Sequence, residues 1–445
     1  MRGIECVATD LTAITFLLTN FQSYMFEAFY KTHDYLVEHT NAPVRRILND
    51  EIDWSARLIG IKGCRGVGKT TFLLMHAKEL EGEYIAPYKI PRSTSVRHEA
   101  HERVTETDRE LAKNHACLYV NFNHFFFAQH TLFEFAELFV ASGGRILLLD
   151  QIFKYSNWSK ELKACYTVFP ELSIVFTGST VMRLTEDNPD LKDIVTMYNL
   201  RGFSFREYLN LMTGNNFSVH SLQDILNNHV SIAQEICRTV NPLDLFDDYL
   251  YHGYYPFFQE KRNYDETLLK TMNMMLEVDV LLIKLIDVSY LSKIRQLLNI
   301  MLNETPCSLN VSKLSLDIDT SRATIMNYIK YLKDARLLNL LYPQGKQFPQ
   351  KPRKVYMQNT NLMFASTLRQ PTEQEIAETY FYNALHGYHK INSGDRNAMF
   401  IIDGRHYFNA YGTTPKRPDH RLTAIKDLPI GSERSIPLWL FGFLY

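Results

Sequence analysis

Short apolar runs alternate with helical periodicity through the first half of this chain. Leu58–Ile61, Ala116–Asn121, Ile146–Leu149 and Ile174–Phe176 each have the length of a strand and almost no polar interruption. Strands apolar on both faces need cover on both sides, and the helical stretches between these runs supply it. The pattern therefore predicts a βαβ rhythm and a parallel sheet, an α/β fold. Ahead of it, Met25, Phe26, Phe29, Tyr30 and Tyr35 share one helical face and predict a helix over residues 25–50. Between Glu81 and Lys113 the chain turns polar and charged, with Pro87 and Pro91 near its start, and reads as an insertion or loop.

The second half has a different texture. Ser218 to Leu291 is helical in pattern, interrupted by the aromatic turn Tyr251-His252-Gly253-Tyr254-Tyr255-Pro256. Residues 291–342 predict three short helices and a hairpin. From Lys346 the chain is extended and basic, then mixed α/β to Tyr445. Because the amphipathic pattern begins at Met25, residues 1–24 are expected to be an appendage or a mis-called start. Leu11–Leu18 is apolar, but Glu5 and Asp10 precede it and no small-residue cleavage site follows, so it does not read as a signal peptide. No apolar run is long enough to span a membrane.

Composition narrows the partners. Lys+Arg 48 against Asp+Glu 49 leaves a net charge of −1, so any contact with nucleic acid has to come from a local patch. Six cysteines are scattered without a CxxC or a paired Cys/His spacing, which argues against a disulfide framework or a zinc site and for the reducing cytoplasm.

The sharpest chemistry follows the first strand. Residues 57–71 read Arg-Leu-Ile-Gly-Ile-Lys-Gly-Cys-Arg-Gly-Val-Gly-Lys-Thr-Thr, a strand running into Gly63-x-x-x-x-Gly68-Lys69-Thr70. This is the spacing of a phosphate-binding loop. Its glycines let backbone N–H groups form a nest around phosphate oxygens, its lysine reaches the β- and γ-phosphates, and its threonine hydroxyl ligates Mg²⁺. The following helix points its positive dipole end at the same anion. Gly63, Cys64, Arg65, Gly66, Val67, Gly68, Lys69, Thr70 and Thr71 are thus the candidate nucleotide-binding residues for ATP or GTP. The partner strand Arg145-Ile-Leu-Leu-Leu-Asp150 ends in the acid that would share Mg²⁺ with Thr70. After that acid, P-loop ATPases with an extra central strand usually carry a glutamate that orients and deprotonates water. Here the residue is Gln151, which can hydrogen-bond a water but cannot take its proton. Thr177, on the strand Ile174–Ser179, is either a polar sensor of the γ-phosphate or the cap of a turn.

Three longer runs carry a resemblance: Leu149-Asp150-Gln151 through Trp158, Phe176-Thr-Gly-Ser-Thr180, and Arg201-Gly-Phe-Ser-Phe-Arg206-Glu-Tyr-Leu209. With the terminal Ile436-Pro-Leu-Trp-Leu-Phe-Gly-Phe-Leu-Tyr445, they look like a prokaryotic AAA-type P-loop ATPase family, with similarity from about Met25 to Tyr445. Its members join a P-loop domain to a winged helix and a domain of restriction-endonuclease-like fold. The resemblance implies a P-loop core over residues 25–212, a helical lid over 213–290, a winged helix over 291–345 and a small nuclease-like α/β domain over 346–445. It also exposes departures. The family's Asp-Glu pair is Asp150-Gln151, its following His is Phe153, and a pair of arginines after Asp-Leu-Ser is missing from Asp190-Leu191-Lys192-Asp193-Ile194. Those arginines would be candidates for the finger that offsets transition-state charge.

Leu309–Leu338 fits a helix-turn-helix, with helices at Val311–Leu316 and from Ser321 to about Lys333. Arg322, Asn327 and Lys330 face outward and, with Lys346, Lys351, Arg353 and Lys354, are candidate DNA contacts. The same charges could instead form a solvated face and a linker. In the tail, Glu378 and Asp395 stand where relatives carry acids, but Asn409 and Thr413 stand on the strand where relatives carry glutamate and lysine. That favours a scaffold or recognition module over a metal-dependent nuclease. Together these readings predict an ATP–Mg²⁺-binding switch with slow hydrolysis, acting on DNA or a protein partner; the alternative is an active ATPase coupled to DNA processing.

Overall fold

A computed structural model describes residues 26–81, 116–180, 191–260, 263–282, 286–365, 369–395, 398–417 and 419–445. The expectations for residues 1–25, for the polar stretch after Glu81 and for Asp190 lie outside the described residues. The chain forms two compact units: one runs to Gly63 and resumes over Lys69–Leu200, and the other joins Cys64–Gly68 to Arg201–Tyr445.

The first unit is built on a parallel sheet. Its strands are β1 (Leu58–Gly63), β2 (Cys117–Asn121), β3 (Ile146–Asp150), β4 (Ser173–Ser179) and β5 (Thr196–Asn199), in spatial order β2-β3-β4-β1-β5. The four expected strands are present, and all are buried over most of their length, as a sheet covered on both faces requires. Strand β5 was not expected. Its sequence Thr-Met-Tyr-Asn has no apolar run, because an edge strand that is partly exposed along its whole length needs none. The helix expected over 25–50 is interrupted: α1 covers residues 26–39 and α2 covers Leu48–Glu51. The intervening segment contains Pro43, which lacks the N–H that a continuing helix needs. Phe26 and Phe29 of α1 each pack on Phe135 with ring centroids 5.2 Å apart. Helices α3 (Lys69–Glu81), α4 (Leu132–Ser142) and α5 (Trp158–Val168) connect the strands. Thr131 and Glu134 cap α4 reciprocally, and Gly143 closes it in the left-handed region. This is the α/β fold of a P-loop NTPase.

The second unit opens with α6 (Phe205–Thr213), α7 (Leu222–Thr239) and α8 (Leu243–Asp248), followed by a wide helical turn at Tyr249–Gly253. Helix α9 (Tyr264–Met274) runs into a second wide turn, Met275–Leu282. Three helices follow, α10 (Leu291–Glu304), α11 (Val311–Asp317) and α12 (Arg322–Asp334), and then an antiparallel hairpin of β6 (Leu338–Leu341) and β7 (Lys354–Met357). The hairpin's pairing thus runs across residue 345, where the resemblance sets a boundary. Ser321 caps α12 through Thr324 N–H, and Ile325, Ile329 and Leu332 form its buried face, as the spacing predicts. After α13 (Thr360–Met363) and α14 (Glu373–Leu385) comes a separate mixed sheet. Its strands are β8 (Ile391–Ser393), β9 (Phe400–Ile402), β10 (His406–Tyr411), β11 (Leu422–Ile425) and β12 (Ser435–Pro437), in order β12-β11-β10-β9-β8. Strands β8 to β10 pair antiparallel and β10 to β12 parallel. Phe381 of α14 contacts Phe400, Phe408 and Phe441, all completely buried.

One amide orders the aromatic turn. Asn361 is fully buried on α13; its Oδ1 accepts from Tyr254 N–H at 2.9 Å and Tyr264 OH at 2.8 Å. Its Nδ2 donates to the carbonyls of Tyr249 at 3.1 Å and Leu250 at 2.9 Å. Replacing Asn361 with Ala strands all four partners away from water. The expected cost is about 2–4 kcal/mol, read as a lower denaturant midpoint in chemical unfolding, whereas an exposed substitution such as Asn228→Ala leaves the midpoint nearly unchanged.

Candidate phosphate-binding site

Parallel pairing brings the chemistry of the first unit to one edge of its sheet. Asn121 is in register with Asp150, Leu149 with Phe176, and Gly63 with Ser179, so Gly63, Asp150 and Thr177 lie near the same carboxyl ends. Open α/β sheets bind ligands at that edge.

The loop from Gly63 to Lys69 leaves β1 and feeds α3. Gly66 and Gly68 have φ of +80° and +90°, the left-handed region where a side chain is strained. A Cβ at Gly66 would also lie 2.8 Å from the Phe257 ring, so this position has two independent reasons to be glycine. Lys69 Nζ donates to the Gly63 carbonyl at 2.7 Å, which folds the ammonium back onto the start of the loop. Cys64 and Val67 are buried, whereas Thr70 and Thr71 are exposed on the first turn of α3. Arg65 Nε meets Asp279 Oδ2 at 3.0 Å, with both side chains largely withdrawn from solvent.

Asp150 is the centre of the site. It is almost fully buried, and its two oxygens accept three hydroxyls. Thr70 donates to Oδ2 at 2.7 Å, Tyr119 to Oδ2 at 2.9 Å and Thr177 to Oδ1 at 2.5 Å. The Thr177 oxygen in turn accepts from Gln151 N–H at 2.9 Å. Thr177 therefore ties the acid to the residue after it. Gln151 sits at φ 58°, uncommon for a residue with a side chain, and is only partly buried. Burial beside the Asp150 carboxylate pushes the Tyr119 phenol well above its ordinary range, so it stays a hydrogen-bond donor. Thr70 and Asp150 are both oxygen donors within 2.7 Å of each other, a set that fits Mg²⁺. They would hold the ion, which would neutralise phosphate charge.

Sequence reasoning missed Tyr119, Asp279 and the ring of Phe257. Tyr119 lies on the strand beside β3, and an alternation argument could have found it. Asp279 is 214 residues from Arg65, a separation that leaves no sequence signal. The described cysteines Cys64, Cys117, Cys165, Cys237 and Cys307 are thiols, and among the described residues no group of three His, Cys, Asp or Glu could hold a metal ion.

The candidate DNA contacts belong to the second unit. Arg322 and Asn327 are exposed on α12, and Lys346, Lys351 and Arg353 are exposed on and beside the connection between β6 and β7. Lys330 pairs with Asp334 at 2.7 Å and lies 5.7 Å from the Phe348 ring centre. Lys354 is paired with Glu378 at 2.5 Å. These two lysines are less available to a phosphate backbone than the spacing implied.

Residues 55–209 match the family model of an AAA domain, and residues 243–372 match a model described as a domain of unknown function, DUF8612. The first unit is accordingly an AAA-type P-loop domain. No curated protein matches the chain. Three solved structures show a distant likeness. Orc1 of Aeropyrum pernix in complex with DNA is 11% identical, with a TM-score of 0.29, over 69% of this chain and 85% of its own. AMPPCP-bound DnaA from Aquifex aeolicus is 13% identical, with a TM-score of 0.22, over 68% and 87%. PCH-2 of C. elegans is 14% identical, with a TM-score of 0.21, over 72% and 67%. Among the described residues no helix is long and apolar enough to cross a membrane.

The helix that carries Lys69 and Thr70 also carries a titratable core group. His76 is buried and stacks on Trp54 with ring centroids 3.6 Å apart; burial pushes its pKa down to about 4, against a smaller opposing effect of Glu79. The unfolded chain protonates this ring near its ordinary 6.5 while the folded one excludes the proton. Its contribution is complete above pH 6.5 and is lost as pH falls towards 4. Chemical denaturation at pH 7.5 and pH 5 should show a loss of stability in the unaltered protein that is smaller in His76→Phe, which keeps the stack and cannot ionise.

Proposed function

We propose that this protein is an ATP–Mg²⁺-binding switch of AAA type with impaired hydrolysis, acting on DNA or a protein partner in the cytoplasm. The observation that carries this reading is the completeness of the binding half beside the gap in the catalytic half. The glycine loop, Lys69, Thr70 and the buried Asp150 network are assembled, while the adjoining position is Gln151. A glutamine can position a water and leaves its proton in place. Three helices and a hairpin over Leu291–Met357 support a winged helix, and the mixed sheet after α14 supports a restriction-endonuclease-like module used for recognition.

Nucleotide occupancy would act on the contacts that the loop residues themselves make. Residues 64–68 group with the second unit, Arg65 is held by Asp279, and Gly66 lies against Tyr255 and Phe257. A phosphate drawn into the nest would bias those contacts, and only such differential contacts can shift a conformational equilibrium. The exposed Arg322, Lys346 and Lys351 would contact a nucleic-acid partner through phosphates, with little sequence preference and steep salt dependence.

Calorimetry should detect ATP–Mg²⁺ binding that Lys69→Ala abolishes, with a melting profile like that of the unaltered protein. Turnover should fall well below the roughly 1–10³ s⁻¹ usual for enzymes. A general base is worth about 10²–10⁴-fold, so Gln151→Glu should raise the rate detectably. Fast hydrolysis by the unaltered protein, lost in Lys69→Ala, would overturn the switch and establish an active ATPase.

A further inference from the structure

We propose that the cleft between the β6–β7 hairpin, α14 and the mixed sheet is a metal-independent binding site for a phosphate monoester of mononucleotide size. It lies within the second unit, away from the glycine loop, and has a volume of about 740 Å³. That falls in the range of small-molecule sites, roughly 300–1,000 Å³.

A hydrolytic site of metal-dependent type needs carboxylates with lone pairs to spare. The two inner acids of this cleft each have three acceptor sites already committed, including both on one oxygen. Glu378 is buried; its Oε2 accepts from Lys354 Nζ at 2.5 Å and Tyr356 OH at 3.1 Å, and its Oε1 accepts from Gln374 at 3.0 Å. Asp419 Oδ2 accepts from Asn409 Nδ2 at 2.6 Å and Tyr411 OH at 2.9 Å, and its Oδ1 accepts from Arg421 N–H at 2.9 Å. A divalent cation would have to evict the Lys354 ammonium from Glu378 and the Asn409 amide from Asp419. The lysine supplies internally the positive charge that a metal would bring.

Arg353 and Arg421 are the cleft's other basic side chains beside Lys354 and His420. The Arg353 side chain is exposed and has no hydrogen bond or ion pair among the described residues, and the Arg421 guanidinium lies 5.1 Å from the Tyr407 ring centre, with the Asp419 carboxylate close enough to interact electrostatically. Both line the cleft, as does a third carboxylate, Asp395. Two guanidiniums recognise a terminal phosphate by paired N–H donors, better than they recognise a diester with fewer free oxygens.

The ligand chemistry has two sources, a free nucleotide or the 5′-phosphorylated end of a strand, and the test separates them. Full-length protein is titrated in EDTA with thymidine 5′-monophosphate and with a short single strand bearing or lacking a 5′-phosphate. Binding of either phosphorylated probe is expected. Each of Arg353→Ala and Arg421→Ala should weaken it about 10- to 100-fold, the worth of a charge-assisted hydrogen bond. Lys69→Ala should leave it unchanged, which separates this cleft from the glycine loop. Retention with the mononucleotide identifies a free ligand, and binding of the strand alone identifies a strand end. The proposal fails if neither phosphorylated probe binds, if binding requires Mg²⁺, if the unphosphorylated strand binds equally well, or if only Lys69→Ala abolishes the signal.

Discussion

The phosphate-binding edge depends on one carboxylate set in a place water scarcely reaches. An isolated anion there would be expensive, and Asp150 is tolerated because Thr70, Tyr119 and Thr177 each point a hydroxyl at it. Those three donors come from α3, β2 and β4, so satisfying one acid fixes three elements relative to one another. The parallel register makes this possible, since it aligns the ends of β2, β3 and β4 within a residue or so. Stability and nucleotide chemistry thus share the same bonds. A cation arriving at Thr70 and Asp150 would replace the hydrogen bond between them without disturbing the donations from Tyr119 and Thr177.

Much of this architecture was legible because its signals are local. Strand β3 announces itself as four apolar residues ending in an acid, and the glycine loop by spacing. Ser321 as the cap of α12 also follows from its neighbours alone. What escaped has non-local causes. Strand β5 is polar because an edge needs no apolar run, and α1 stops early where Pro43 follows. The partner of Arg65 lies 214 residues away. The candidate nucleic-acid face shows a further limit: helical spacing says which side of α12 Lys330 occupies, and only packing says that Asp334 has already engaged it.

The same distinction separates the two sites chemically. Around Asp150 the donors are neutral hydroxyls, which bring no positive charge of their own. Around Glu378 one donor is the Lys354 ammonium, which cancels the charge in place. The Asn409 amide donates to Asp419 and so occupies an acceptor site of that acid as well.

A switch of the kind proposed above, hydrolysing slowly, would have to reset by another route, and the loop offers a candidate. Arg65 and Asp279 are both largely withdrawn from solvent, and opening such a pair leaves an uncompensated charge at a cost of about 3–5 kcal/mol. Nucleotide binding that required the pair to open would lose that much affinity; binding that left it closed would transmit nothing through it. The useful regime lies between these limits, where phosphate contacts loosen the pair without exposing Asp279. A few kcal/mol of opposition raises the dissociation rate by tens- to hundreds-fold. Under the proposed function, exchange in place of hydrolysis would then set the lifetime of the bound state, and a glutamine at position 151 would be compatible with a protein that must still turn off.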